Sequence, residues 1–189
     1  MSRGISRISI LVACLSFTTL ATAQEVVHAL VGTVTSINSL TKTISVNTDD
    51  GSDGLFKDMP ATKTRIEFDR SIRTDSTAAD EFQRSGARVI VYYYGNSDVR
   101  TVVALRSLGS GPFTTTIGSV VSFNGGHHTI SIKDKSGAVT AFEIDADTVV
   151  EGETGAEAGS KFHPEKDDQV RLTSKVVNGV PTAVFIYAM

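Results

Sequence analysis

The feature that most constrains this chain is that much of it is written twice. Gly32, Ser36, Asn38, Thr43, Ile44, Ser45, Gly51 and Phe56 return 86 positions later as Gly118, Ser122, Asn124, Thr129, Ile130, Ser131, Gly137 and Phe142. Eight identities at one spacing imply two copies of one unit. Farther along, the spacing shortens: Thr64-Arg65-Ile66 answers Thr148-Val149-Val150 at 84, Val89-Ile90-Val91 answers Val170-Arg171-Leu172 at 81, and Ala104-Leu105 answers Ala183-Val184 at 79. The deletions fall between apolar runs, where surface loops absorb changes of length. Each copy is about 80 residues long, enough to bury a small core and too long for one repeat of a solenoid. The reading is therefore two tandem domains, residues 24–109 and 110–189, with Pro112 beside Gly109 and Gly111 marking the linker.

Runs of β-branched and apolar residues between turn residues predict an all-β unit. In copy one, strands are expected near Leu30 to Ile37, Thr43 to Thr48, Leu55 to Phe68 with a break at Pro60, Ala87 to Tyr94 and Val99 to Leu108. The one helical candidate is short, Thr77 to Arg84. Copy two repeats the order near Thr115 to Phe123, Thr129 to Asp134, Val139 to Val150 with a break, Gln169 to Val176 and Pro181 to Ala188. Five strands with an irregular or helical insert between the third and fourth fit the small barrel that binds oligonucleotides and oligosaccharides, the OB fold. Gly32 and Gly118 are the expected bend residues of the long first strands, because glycine permits the bulge that bends them. Asp50-Gly51 and Ser136-Gly137 are expected tight turns, where glycine accepts a positive φ.

The repeated pattern is a glycine-x-valine start, Thr-Ile-Ser-Val or Thr-Ile-Ser-Ile, a threonine-led end to the third strand and a closing alanine-containing strand. It resembles a family of exported bacterial small-barrel domains of unknown function, over roughly residues 28 to 108 and 114 to 188. The resemblance implies the fold and an exported location, and it brings no reaction with it.

Residues 1 to 23 read as a secretory signal, which places the protein in the periplasm or outside the cell. Arg3 and Arg7 precede an apolar stretch from Ile8 to Leu20, and Ala21-Thr22-Ala23 offers small residues for cleavage before Gln24. The stretch is short for a membrane-spanning helix, which needs about 20 apolar residues. Leu11-Val12-Ala13-Cys14 gives a competing reading, a lipoprotein acylated at Cys14. Loss of Arg3 and Arg7 makes a chain of formal net charge −3 more acidic still. Such a chain lacks the basic stripe that neutralises phosphates, so nucleic acid is not an expected partner.

Candidate sites follow from barrel geometry and from residue chemistry. Barrels of this type present ligands on strands two and three, flanked by the loops joining strands one to two and four to five. That analogy points to Asn38, Lys42 and Asn96 in copy one and to Asn124 and Asn178 in copy two. Tyr92-Tyr93-Tyr94 is the densest aromatic cluster, and strand alternation sends Tyr92 and Tyr94 to one face and Tyr93 to the other. Tyr92 and Tyr94 are the pair expected to offer stacking area to a sugar or peptide. Copy two has Leu172-Thr173-Ser174 there, so a tyrosine site belongs to the first barrel alone.

Other motifs carry less. His127-His128 could ligate a metal with Asp145 or Glu143, but adjacent strand residues point to opposite faces. His28 and His163 show no partner in the sequence. Asp49, Asp50 and Asp53 crowd a turn like a calcium loop, yet position 3 is Gly51 and position 12 is Pro60. The run Asp145, Asp147, Glu151, Glu153 and Glu157 reads as a solvated edge. Ser39-Leu40-Thr41-Lys42 has the Ser-x-x-Lys spacing but lies in a turn between strands, without the accompanying motifs of that chemistry. The sequence thus favours a non-catalytic, cofactor-free exported module that binds an envelope protein, peptide or glycan. A metal-binding protein or metal-dependent hydrolase built on His127 and His128, and a structural subunit of an envelope complex, are the alternatives.

Overall fold

The computed structural model describes residues 25–58, 71–72, 85–95 and 100–189. Strands β1 (His28–Asn38), β2 (Thr43–Thr48), β3 (Asp53–Asp58), β4 (Arg88–Tyr94) and β5 (Arg100–Ser107) close a barrel in the order β1-β2-β3-β5-β4. Strands β6 (Phe113–Asn124), β7 (Thr129–Asp134), β8 (Val139–Gly152), β10 (Gln169–Val177) and β11 (Val180–Ala188) close a second one, completed by the parallel pairing of β8 with β11. The short strand β9 (Gly155–Ala158) lies along β8, followed by one 3-10 turn, Gly159–Lys161. These are the tandem OB-like barrels expected from the sequence. The helical candidate Thr77 to Arg84 and the far end of the predicted third strand of copy one lie outside the described residues.

The repeat survives as register. Gly32 faces Thr48 and Gly118 faces Asp134; the β1–β2 ladder slips between Val34 and Ser36, and the β6–β7 ladder between Val120 and Ser122. The glycines do a different job from the one expected. The bulge sits beyond them, and a Cβ at Gly32 would lie 2.5 Å from the Asn47 carbonyl oxygen, at Gly118 2.1 Å from that of Lys133. They let the first strand press on the backbone of the second. The final strands also need a correction, because Val91 pairs with Leu105 whereas Leu172 pairs with Ile186. That keeps the spacing at 81 rather than 79. Ala104 thus corresponds to Phe185, and Tyr92-Tyr93-Tyr94 to Thr173-Ser174-Lys175, one residue on from the sequence match.

Each barrel has its own interior. Val34, Ile44, Val46, Phe56, Val91 and Leu105 fill the first, and Val120, Ile130, Ile132, Phe142, Leu172 and Ile186 fill the second. A third apolar cluster lies between the barrels. Ala29, Val31, Ile90, Tyr92, Val103 and Ala104 point outward from the first barrel onto Val149, Ala158, Val184 and Phe185 of the second. This contact explains why β4 reads as an unbroken apolar run, Val89 to Tyr94: both of its faces are covered. The Ala156 N–H donates to the Val27 carbonyl at 2.8 Å, joining β9 to the entry of β1. Gly155, at φ +98, permits that approach, since a Cβ there would lie 2.5 Å from the same oxygen. Arg106 adds a bond to the Asp147 carbonyl and a 3.7 Å ion pair with its carboxylate.

Candidate functional site

Where the apolar contact ends, the two barrels diverge around a cavity of about 630 Å³, within the range of small-molecule sites. The first barrel lines it with His28 at the start of β1, the β2–β3 turn from Thr48 to Ser52, Tyr93 on β4 and Arg100 on β5. The second contributes Glu151 and Glu153 after the apolar run of β8, Arg171 and Thr173 on β10, and Phe185 and Tyr187 on β11.

Three carboxylates are held by the protein itself. Glu151 is buried and accepts from His28 Nδ1 at 2.6 Å and from the Ala29 N–H at 2.7 Å, so one side chain ties β8 to β1. Burial pushes its carboxyl above the usual range, opposed by the bonds from His28 and Ala29. Asp49 pairs with Arg88 of its own barrel and accepts from two hydroxyls of the other, Thr173 at 2.6 Å and Thr115 at 3.3 Å. Asp50 caps its own turn through Ser52 and Thr48. Hydrogen bonds from these residues hold its pKa down to about 2, with a smaller contribution from the charge of Arg171.

The arginines are placed differently. Arg100 lies over the rings of Phe56 and Tyr93, 5.6 and 5.4 Å from their centroids, and Arg171 lies 5.6 Å from the Tyr187 centroid. Tyr93 also packs edge-on against Phe56 at 5.3 Å and tilts against His28 at 5.8 Å. Burial raises its phenol pKa, and the nearby Arg100 charge opposes the rise. Cation–π contacts of this kind hold a guanidinium against a ring without using its N–H donors.

Of the ligand and metal residues expected from sequence, those that are described line none of this cavity. Tyr92 is wholly buried between the barrels and so offers no stacking face to a ligand, while Tyr94 is half-buried and packs on the edge of the same cluster. The tyrosine that reaches the cavity is Tyr93, on the other face. Asn38 and Asn124 build turns: Asn38 Oδ1 accepts from the Leu40 and Thr41 N–H groups, and Asn124 Oδ1 from that of His127, each at 3.0 Å. Lys42 and His128 are the equivalent left-handed residues of those turns, at φ 53 and 51. Asn178, at φ 51 beside Gly179 at φ 85, is the hairpin turn between β10 and β11. Asn96 lies outside the described residues. His127 and His128 are exposed, and no group of three or more metal-ligating side chains occurs among the described residues.

The acidic run is also corrected at one position, since Glu151 is a buried latch rather than a solvated charge. A carboxylate closing the apolar run Val149-Val150 was the signal available for it. The signal for Arg171 was the repeat itself: copy one has Ile90 at the same outward position. Among the described residues no helix is long and apolar enough to cross a membrane. The chain matches no protein-family model and no curated protein sequence.

Proposed function

We propose that this protein is a non-catalytic binding module in which both barrels together hold one small ligand in the cleft between them. The observation that carries this reading is that the cleft is walled by both barrels, with Tyr93 and Arg100 from one and Arg171 and Tyr187 from the other. It replaces the individual β2–β3 and β7–β8 faces as the site, because the apolar cluster and the Glu151 latch fix the two walls against each other. A pre-formed cleft spares the ligand the ordering cost of assembling its own site. Saturable ligand binding raises the melting temperature as ligand exceeds its dissociation constant. A thermal-shift screen of glycan fragments, peptides and small metabolites should yield stabilisers of the wild-type chain that fail with Arg100→Ala and Tyr187→Ala. Ligands that stabilise both variants as well as the wild type would move the site away from the cleft.

The module acts outside the cytoplasm in this reading, supported by Arg3, Arg7, the apolar stretch and Ala21-Thr22-Ala23. The intact mass of the protein recovered from its native host should begin at Gln24. A diacylated mass beginning at Cys14 would make it a lipoprotein, and a mass retaining Met1 would overturn export.

A further inference from the structure

The hydrogen-bonding capacity of the cleft is unevenly used. Its buried carboxylates have donors within the protein: Glu151 has His28 and the Ala29 amide, and Asp49 has Arg88, Thr115 and Thr173. Asp50 is bonded by Thr48 and Ser52. The guanidinium groups of Arg100 and Arg171 are supported by rings and, among the described residues, meet no hydrogen-bond acceptor. The Nε atoms of Arg171 and Arg88 are buried with no hydrogen-bond partner among the described residues, and of these two side chains only Arg171 lines the cleft. Two guanidinium groups that line one cleft and rest on rings leave their remaining N–H donors for an acceptor from outside the chain.

We infer that the ligand of this cleft carries a carboxylate, received by Arg171 and Arg100 and flanked by the rings of Tyr187 and Tyr93. Arginine suits this role because its planar fork of donors matches a carboxylate. The charges sharing the cleft choose among oxyanions. Asp50 and Glu153 line the same space, and they oppose a dianion such as phosphate more strongly than a single carboxylate. The inference rests on the cleft being the binding site, and it adds the chemistry of the bound group.

The test is a titration of the full-length processed protein, followed by NMR of its tyrosine rings, with three pairs of probes at matched ionic strength. Galacturonate is compared with galactose, N-acetylalanine with its amide, and inorganic phosphate with chloride. At least one carboxylate should shift the Tyr93 and Tyr187 signals saturably, about tenfold more tightly than its neutral partner and than phosphate, a difference of about 1.4 kcal/mol. Which pair responds tells a sugar acid from a peptide terminus. Arg171→Gln and, as a second variant, Arg100→Gln should each remove that preference while keeping the wild-type spectrum elsewhere. Lys135→Gln, on an exposed turn of the second barrel, should leave it unchanged. Equal binding of acid and neutral partner would overturn the carboxylate while leaving the cleft as the site, and preference for phosphate would do the same. Carboxylate binding that shifts neither tyrosine would overturn both readings.

Discussion

The two barrels share an inside and differ in their outsides. Every interior position compared above is apolar in both copies, with Phe56 answered by Phe142 and Leu105 by Ile186. The outward face of β1 and β4 carries Ala29, Val31, Ile90 and Tyr92, whereas the same positions on β6 and β10 carry Thr115, Ile117, Arg171 and Thr173. The first set is buried against the second barrel; in the second set, Ile117 is exposed, Arg171 lines the cleft and Thr173 bonds Asp49. Duplication thus kept the interior, which each barrel needs in order to fold, and released the outer face. In one copy that face became an interface and in the other part of a cleft wall.

Replacing Tyr92 should break this contrast most severely. Tyr92→Ala removes a fully buried ring from the inter-barrel cluster and should cost about 3–5 kcal/mol, by analogy with other buried aromatic truncations. Thr173→Ala, at the equivalent position, loses one hydrogen bond to a carboxylate and should cost about 1.5–3 kcal/mol. Urea unfolding of both variants measures the difference, and equal losses would mean that the inter-barrel cluster adds little. Because Tyr92 lies between barrels, its loss should also make the unfolding depart from a single cooperative transition.

A sharper check of the shared inside uses the glycines. Gly32→Ala and Gly118→Ala each drive a Cβ against the backbone of the neighbouring strand, and overpacking of this kind costs about 1–3 kcal/mol. The two should be similar, with Gly118 slightly worse for its closer carbonyl. A neutral substitution at either position would show that the strands can part there.

The smallest effect concerns the β-turns. In copy one Asp50 accepts from Thr48 and Ser52, and in copy two the carboxylate has moved to Asp134, which accepts from Ser136 and Ala138. The pKa of Asp50 falls from 3.8 to about 2 on folding, so its contribution is complete above pH 3.8 and is lost as the pH falls toward 2. Asp50→Asn should therefore lower stability by a small, constant amount above about pH 4 and converge on the wild type as the pH falls toward 2. An Asp50→Asn curve parallel to wild type between pH 4 and 2 would contradict this account; Asp50 is largely exposed, so the difference should be small.

The inside of the barrels was legible because inward residues alternate with outward ones and the alternation occurs twice. Ile44 and Ile130, or Phe56 and Phe142, declare themselves by repetition. The cleft was not legible, because its members come from six strands and a turn. His28 meets Glu151 across 123 positions, and neither has a neighbour in sequence that announces the other. Tyr92 misled for a related reason. An aromatic on a strand looks the same whether its face meets solvent or a second barrel, and only the three-dimensional contact assigned Tyr92 to the core and Tyr93 to the cleft. Asn38 and Asn124 were found as loop residues, but the asparagines that close turns and those that bind ligands share one chemistry.

The packing of the barrels also carries a statement about ancestry. The closing strands contribute alike, Val103 and Ala104 on β5 answering Val184 and Phe185 on β11, but β1 runs against β8 and β9 rather than against its own counterpart. The contact is heterologous: most of the surface on one side has no twin on the other. A fused two-fold dimer would present the same patch twice. The joined pair is therefore not a fused two-fold dimer, and two copies of either barrel alone would lack one half of the contact.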